Sequence, residues 1–213
     1  MDEAALRDEL VVLAKSLFDR GYSVGTAGNI SVRLPDGYLM TPTNSCLGRL
    51  DASRISKLGP DWTHLSGDKP SKEVFLHRAV LTARPEAGAV VHTHSPFATA
   101  LSCARQGLPP FHYMIALGGG GDIRCSGYAT FGTEELAAAC IAALDGRRAA
   151  LLANHGAVAF GTTLAGARTL AMEVENLARQ YLALRAAGLA PVLLDAAELA
   201  AVFAQFGGYG RLD

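Results

Sequence analysis

The stretch that most restricts how this chain can fold runs from Ala87 to His94 and on into Ser95-Pro96. Ala87 to His94 is a short apolar run of the length expected for a buried strand. Ser95-Pro96 follows at once as a helix start, a capping hydroxyl with proline at the first helical position. Strand running directly into helix points to an α/β fold. The run also ends in His92-Thr93-His94, and side chains on a strand alternate with period two, so both imidazoles leave from one face.

The rest of the chain supplies elements of both kinds. Leu6, Leu10, Leu13 and Leu17 form one stripe of a helix that ends near Gly21. Gly25 to Asn29 is a glycine-rich turn entering an alternating strand. Asp36-Gly37 is a hairpin turn whose return strand covers Tyr38 to Thr41. Ser53 to Leu58 reads either way, and Gly59 to Lys69 reads as a surface hairpin or loop. Pro70-Ser71 opens a helix with Ser71 as N-cap and Val74, His77 and Leu81 on one face; Pro85 closes it.

After Ser95, a helix from Pro96 to about Arg105 is expected. Phe111 to Leu117 fits strand or helix, and Gly118 to Gly121 reads as a flexible link. Thr133-Glu134-Glu135 caps a helix reaching about Leu144, with its carboxylates where the helix dipole favours them. Ala149 to Ala153 is a strand leading to His155, and Ala157 to Phe160 its antiparallel return. The longest helix is expected from Thr163 to Ala187, ended by Gly188. A last short helix spans Asp195 to Phe206. Helices and strands alternate irregularly and hairpins recur. The expected fold is therefore one α/β domain over residues 1–213, with a central mixed or mainly antiparallel sheet flanked by helices.

Composition excludes several classes of function. A formal net charge of −1 over 213 residues gives no electrostatic reason to expect nucleic acid or an acidic membrane as partner. Met1-Asp2-Glu3 is too acidic to open a secretory signal. The longest uncharged stretch, Ala149 to Ala167, is too polar and glycine-broken to span a bilayer. Cys46, Cys103, Cys125 and Cys140 form no C-x-x-C pair and suit reduced thiols in a cytoplasm.

Three histidines and a carboxylate stand out as chemistry. His92 and His94 share a strand face, and His155 lies between Asn154 and Gly156 at the end of a second apolar strand. Either these are ordinary histidines, some buried and hydrogen-bonded, or they are three nitrogens of a metal site. Glu73 is read with equal ease as a helix-dipole carboxylate or as a fourth ligand, and spacing does not decide. Gly25 to Asn29 is either a tight turn or an anion cradle; it has no P-loop Lys-Ser/Thr. Ser71 and Lys72, at a helix N-terminus, favour the cradle. Tyr113 and Tyr209 are candidate proton donors, or packing tyrosines. His64, His77 and His112 read as structural or exposed.

Taken together, several motifs resemble the class II aldolase/adducin family, essentially end to end. They are Gly25 to Arg33, Met40-Thr41-Pro42-Thr43, Pro70-Ser71-Lys72-Glu73, Ala89 to His94 and Asn154-His155-Gly156. The resemblance implies that family's three-layer fold. It implies one zinc ion per subunit held by His92, His94, His155 and Glu73, with Glu73 also the general base. It implies a phosphate pocket from Gly28, Asn29, Thr43, Asn44, Ser71 and Lys72, and Tyr113 as the acid that protonates the departing aldehyde oxygen. Tyr209 would close the site, and the assembly would be a homotetramer with active sites at subunit interfaces.

The implied reaction is retro-aldol cleavage of a sugar phosphate such as L-fuculose 1-phosphate to dihydroxyacetone phosphate and a short aldehyde. The charge left on the enediolate is what a Lewis-acid metal stabilises. His112 to Ala116 and Tyr128 to Thr133 are similar to the L-fuculose-1-phosphate-cleaving branch. Thr41 to Gly48 and Pro70 to Glu73 look instead like the branch of 3-oxo-tetronate 4-phosphate decarboxylases. Those enzymes form the same enediolate and release carbon dioxide. Asn44 stands where the fuculose branch has glycine, and Lys72 where it has a second serine. Asparagine is the next most tolerant residue at a left-handed position; Lys72 adds a cation beside a phosphate or carboxylate. A sugar-phosphate epimerase or dehydratase and a non-catalytic adducin-like binding protein are the remaining readings. The three histidines with Glu73 argue against the last.

Overall fold

A computed structural model of the chain describes residues 2–208. Asp2 starts the first helix, its carboxylate accepting from the Ala5 N–H at 2.7 Å. Helix α1 (Glu3–Asp19) buries Leu10, Ala14 and Leu17 along one stripe. Each buried leucine contributes on the order of 1.5–3 kcal/mol. Strands β1 (Asn29–Leu34) and β2 (Gly37–Met40) form the hairpin expected around Asp36-Gly37. Two short 3-10 turns lead to β3 (Ser56–Leu58) and β4 (His64–Ser66), a second hairpin.

Helix α2 (Val74–Ala83), strand β5 (Ala89–Thr93) and helix α3 (Pro96–Cys103) follow in the order the apolar run dictates. Tyr113–Gly118 is neither strand nor α-helix but a 3-10 helix. Then come β6 (Arg124–Cys125), α4 (Glu134–Ala143), the hairpin β7 (Ala149–Leu152) with β8 (Gly156–Gly161), α5 (Leu164–Ala186) and α6 (Ala196–Gly208). The strands make one eight-stranded sheet in the order β4-β3-β2-β1-β5-β8-β7-β6. Neighbours are antiparallel except the β6–β7 pair, which is parallel. This is the mixed, mainly antiparallel α/β architecture the sequence predicts.

Period-two alternation decides which residues meet. Ala89 and Val91 of β5 pack with α1, α3 and α5 on one side of the sheet, and Val90 with α2 and α4 on the other. His92 has the parity of Val90 and therefore projects toward α2. Strand β1 divides in the same way. Ile30, Val32 and Leu34 enter the larger core, so Asn29, Ser31 and Arg33 face α2. Two strand residues advance about 6.6 Å and four helix residues about 6 Å. The row Asn29, Ser31, Arg33 can therefore run in step with Glu73, His77 and Leu81. Arg33 completes the row by donating to the Leu81 and Ala87 carbonyls.

Two helix starts differ from expectation. Helix α2 begins at Val74, not Ser71, and Glu73 is its N-cap without a side-chain capping bond. The Ser71 carbonyl accepts from the Val74 N–H at 3.1 Å, closing a turn before the helix, and the Glu73 carboxylate is engaged elsewhere. Ser95 makes no side-chain cap either. Glu175 of α5 takes that part, accepting from the Phe97 and Ala98 N–H groups at 2.9 and 2.8 Å. A carboxylate reaching across from another helix leaves the local hydroxyl nothing to cap.

Candidate metal centre

Four side chains converge at one end of the central strands. The ligating atoms of Glu73, His92, His94 and His155 all lie within 4.8 Å of one another. His92 comes from the last turn of the pleat in β5, and His94 from just past the strand's end. His155 sits in the short connection between β7 and β8, behind Asn154, whose φ of 55° is left-handed. That connection is clamped by the end of α3. The Asn154 N–H donates to the Ser102 carbonyl at 3.0 Å, the His155 N–H to the Ser102 hydroxyl at 3.3 Å, and the Arg105 guanidinium to Asn154 Oδ1 at 2.9 Å.

Gly156 makes the convergence sterically possible. A Cβ there would lie 2.4 Å from the Thr93 carbonyl oxygen and 3.1 Å from the His94 ring. Only a residue without a side chain lets β8 come this close to the pair of histidines.

The donor atoms are aimed inward. His92 Nδ1 is 2.9 Å from the Ala157 carbonyl, which can only accept, so Nδ1 carries the proton and Nε2 of the neutral ring presents its lone pair. That Nε2 lies 2.9 Å from His94 Nε2 and 3.3 Å from Glu73 Oε2. His155 Nε2 is 3.1 Å from Glu73 Oε1, a buried oxygen with no hydrogen bond. Three imidazole nitrogens and an under-satisfied carboxylate oxygen around one point are a donor set that fits a divalent metal ion.

Without a metal, the charges balance among themselves. Burial pushes Glu73 up, but the charge of His92, the nearby ring nitrogens of His155 and His92, and the Asn29 amide outweigh it and hold the carboxyl well below the usual range. Burial opposes charge on His92 as well, yet Glu73 raises it above an ordinary histidine. His94 is pushed down to about 4, first by burial and then by the neighbouring His92 and His155 rings. One proton shared by a carboxylate–imidazole pair is what such a cluster retains, and a metal must displace it.

A cleft of about 360 Å³ opens beside the cluster. Gly28, Asn29, Thr43, Asn44, Ser71, Lys72, Glu73, His94 and His155 all line it. Asn44 occupies the left-handed region, with φ of 55°. Asn29 reaches the cleft, but its amide also donates to Glu73 Oε2 at 2.7 Å. Tyr113 is not among the lining residues. It is half-exposed, and its ring stacks between His112 and Phe206. Tyr209 lies outside the described residues. Of the other histidines, His64 is exposed, His112 accepts from the Met114 N–H, and His77 is fully buried.

Thr26 and Ala27, from the glycine-rich turn read as a possible anion cradle, also line the cleft. Residue-type reasoning gave no role to the rest of the lining: Tyr128, Ala129 and Phe131 form a rim before α4, with Asn154 completing the wall. The available signal for the rim was two aromatics in a loop ahead of a helix cap, a pattern that packing would equally explain.

Comparison with known proteins gives these features a context. A profile of the Class II Aldolase and Adducin N-terminal domain matches residues 8–182. The 5-methylthioribulose-1-phosphate/5-deoxyribulose-1-phosphate aldolase of Rhodospirillum rubrum is 45% identical over 207 residues, which cover 97% of this chain and 93% of that protein. The 3-oxo-tetronate 4-phosphate decarboxylase of Escherichia coli (strain K12) is 44% identical over 184 residues, covering 83% of this chain and 86% of that one. A solved structure of an L-fuculose 1-phosphate aldolase superposes with a TM-score of 0.89 at 35% identity, over 94% of this chain and 95% of that chain.

Proposed function

The chain belongs to the class II aldolase and adducin family, and on that premise we propose that it is a zinc-dependent carbon–carbon lyase acting on a ketose 1-phosphate. The products would be dihydroxyacetone phosphate and a short aldehyde. One observation carries this reading: Glu73 belongs to the four-residue donor cluster and also lines the cleft. A single carboxylate can thus serve both the metal and the substrate.

Glu73, His92, His94 and His155 would hold the ion, and three imidazole nitrogens with one carboxylate oxygen are a set that suits borderline-soft zinc. When bound, it supplies Lewis-acid stabilisation of the negative charge that builds at the C2 oxygen. The protein's own groups do the rest. Gly28, Asn29, Thr43, Asn44, Ser71 and Lys72 surround the phosphate. As the C3–C4 bond breaks and its electron pair moves toward the C2 carbonyl, the Tyr113 oxygen takes the proton of the C4 hydroxyl. Glu73, released toward the cleft, delivers a proton to C3 to complete dihydroxyacetone phosphate; in synthesis Glu73 is the base that removes that C3 proton.

In the synthetic direction Tyr113 would protonate the aldehyde oxygen. Its place away from its own cleft suits service to a neighbouring subunit in a homotetramer, with Tyr209 closing that site. Reduced thiols and the absence, among the described residues, of a helix long and apolar enough to cross a membrane accord with a cytoplasmic enzyme.

The substrates in the names of the R. rubrum relative and the fuculose enzyme are ketose 1-phosphates lacking a terminal hydroxyl, so this class is the one proposed here. Lys72 at the cleft favours a second reading, decarboxylation of a 3-oxo-tetronate 4-phosphate, because a cation there can meet a carboxylate. An assay of dihydroxyacetone phosphate release from L-fuculose 1-phosphate and 5-deoxyribulose 1-phosphate, beside carbon dioxide release from 3-oxo-tetronate 4-phosphate, separates the two. Carbon dioxide release alone would overturn the aldolase assignment.

A further inference from the structure

Behind Glu73 runs a buried chain of polar side chains, of which Asn29 also reaches the cleft while His77 and Ser31 do not line it. The Asn29 amide nitrogen donates to Glu73 Oε2 at 2.7 Å, Asn29 Oδ1 is 2.5 Å from His77 Nε2, and His77 Nδ1 is 2.7 Å from the Ser31 hydroxyl. Ser31 and His77 are fully buried, and Asn29 nearly so. Each link admits two orientations in isolation, since an amide can flip and an imidazole has two tautomers.

The carboxylate removes the ambiguity. Glu73 only accepts, so Asn29 must turn its NH2 toward Glu73 and its carbonyl toward His77. His77 must then carry its proton on Nε2, and its bare Nδ1 must accept from Ser31. Read in the other direction, Ser31 and His77 fix the amide that holds Glu73. A reversed Asn29 would set a carbonyl oxygen against the carboxylate.

We propose that His77 is a positioning residue for Glu73: it orients the Asn29 carboxamide and through it keeps the Glu73 carboxylate aimed into the donor cluster. This rests on the metal-dependent lyase reading above. The geometry is built into the fold, because Asn29 and Ser31 lie on the one face of β1 that runs in step with Glu73 and His77. His77 touches neither the ion nor the substrate, and its effect is on ligand geometry.

Zinc affinity, measured by competition with a chromophoric chelator on the full chain, tests the proposal without reference to turnover. His77→Leu should weaken zinc binding about 10–100-fold, the usual cost of losing an outer partner of a ligand. His77→Gln, which keeps a donor near the Nε2 position, should recover most of that loss. The cobalt(II) absorption spectrum of His77→Leu should shift, and that of His77→Gln should resemble the wild type. A merely structural histidine would lower thermal stability in both variants without separating their affinities.

Wild-type affinity in His77→Leu, or no recovery in His77→Gln, overturns the proposal. Should His77→Leu not fold, Ser31→Ala decides: it leaves the ring in place but removes the hydroxyl that selects its tautomer. Its zinc affinity should fall several-fold, and an unchanged value overturns the proposal. A wild-type chain that binds no zinc overturns the lyase reading and this inference together; wild-type binding with indifferent variants overturns the inference alone.

Discussion

The floor and the rim of the cleft are built on opposite terms. On the floor, His92 is fully buried and Glu73 9% exposed. Three of the floor's four cluster residues have a second partner that fixes their direction: Ala157 for His92, Asn29 for Glu73, and Ser102 for the backbone of His155. On the rim, Tyr128 and Phe131 are 59% and 64% exposed. Tyr128 has the Arg105 guanidinium 5.8 Å from its ring centre, a loose contact by comparison. Groups that are buried and held twice cannot change without disturbing the core; groups on a solvated loop can. A fold arranged this way keeps its chemistry while its specificity changes, which suits a family whose relatives carry different substrate names on one architecture.

The contrast can be tested from its strongest point downward. Glu73→Gln should lower turnover about 10²–10⁴-fold, the range for losing a general base, while the circular dichroism spectrum stays native. If turnover persisted, the floor would not be where the proton moves. Gly156→Ala should come next. Its methyl group must displace the Thr93 carbonyl, costing about 1–3 kcal/mol as overpacking does. Thermal unfolding should show that cost, and metal affinity should fall with it.

The floor should also be sensitive to acid. Burial, and then the charge of His92, push His77 down to about 3. The unfolded chain binds a proton there near pH 6.5, so between about 6.5 and 3 it holds more protons than the folded one. The contribution of a neutral His77 is therefore full above that window and is lost as the pH falls through it, by about 1.4 kcal/mol per pH unit. Denaturant unfolding at stepped pH measures the slope, and His77→Gln should flatten it. The rim should respond least. Phe131→Ala should leave stability within about 0.5 kcal/mol and change only the KM ranking of substrates with different tails; a large drop in unfolding temperature would show that the rim is part of the core.

Much of this architecture was legible in the sequence, because alternation is a local property. The run from Ala87 to His94 specified both a buried strand and the shared face of two histidines. The Asp36-Gly37 turn specified a hairpin, and Thr133 caps the helix it precedes, as expected. What the sequence did not carry was pairing over distance. Ser71 carried a local cap signal, but the turn Ser71 makes leaves Glu73 at the cap position. Ser95 carried another, and a carboxylate eighty residues on, to the nearest ten, displaced it. His77 reads as an ordinary core histidine until β1 is laid against α2. Tyr113 carries no local sign that it stands apart from the cleft, and Tyr209 lies beyond the described residues.

The register of the three central strands has a consequence for biosynthesis. Asn29 lies opposite His92, and His92 opposite Val158, so the cluster needs β1, β5 and β8 side by side. A nascent chain that has delivered β5 but not β8 has two of the histidines and no third. Glu175, which secures the helix after His94, emerges later still. Ion capture therefore cannot seed folding from the amino terminus, as it does in small zinc modules. It can only lock a sheet that has already assembled, so metal shortage should leave a folded pool awaiting its ion and not a pool of unfolded chains.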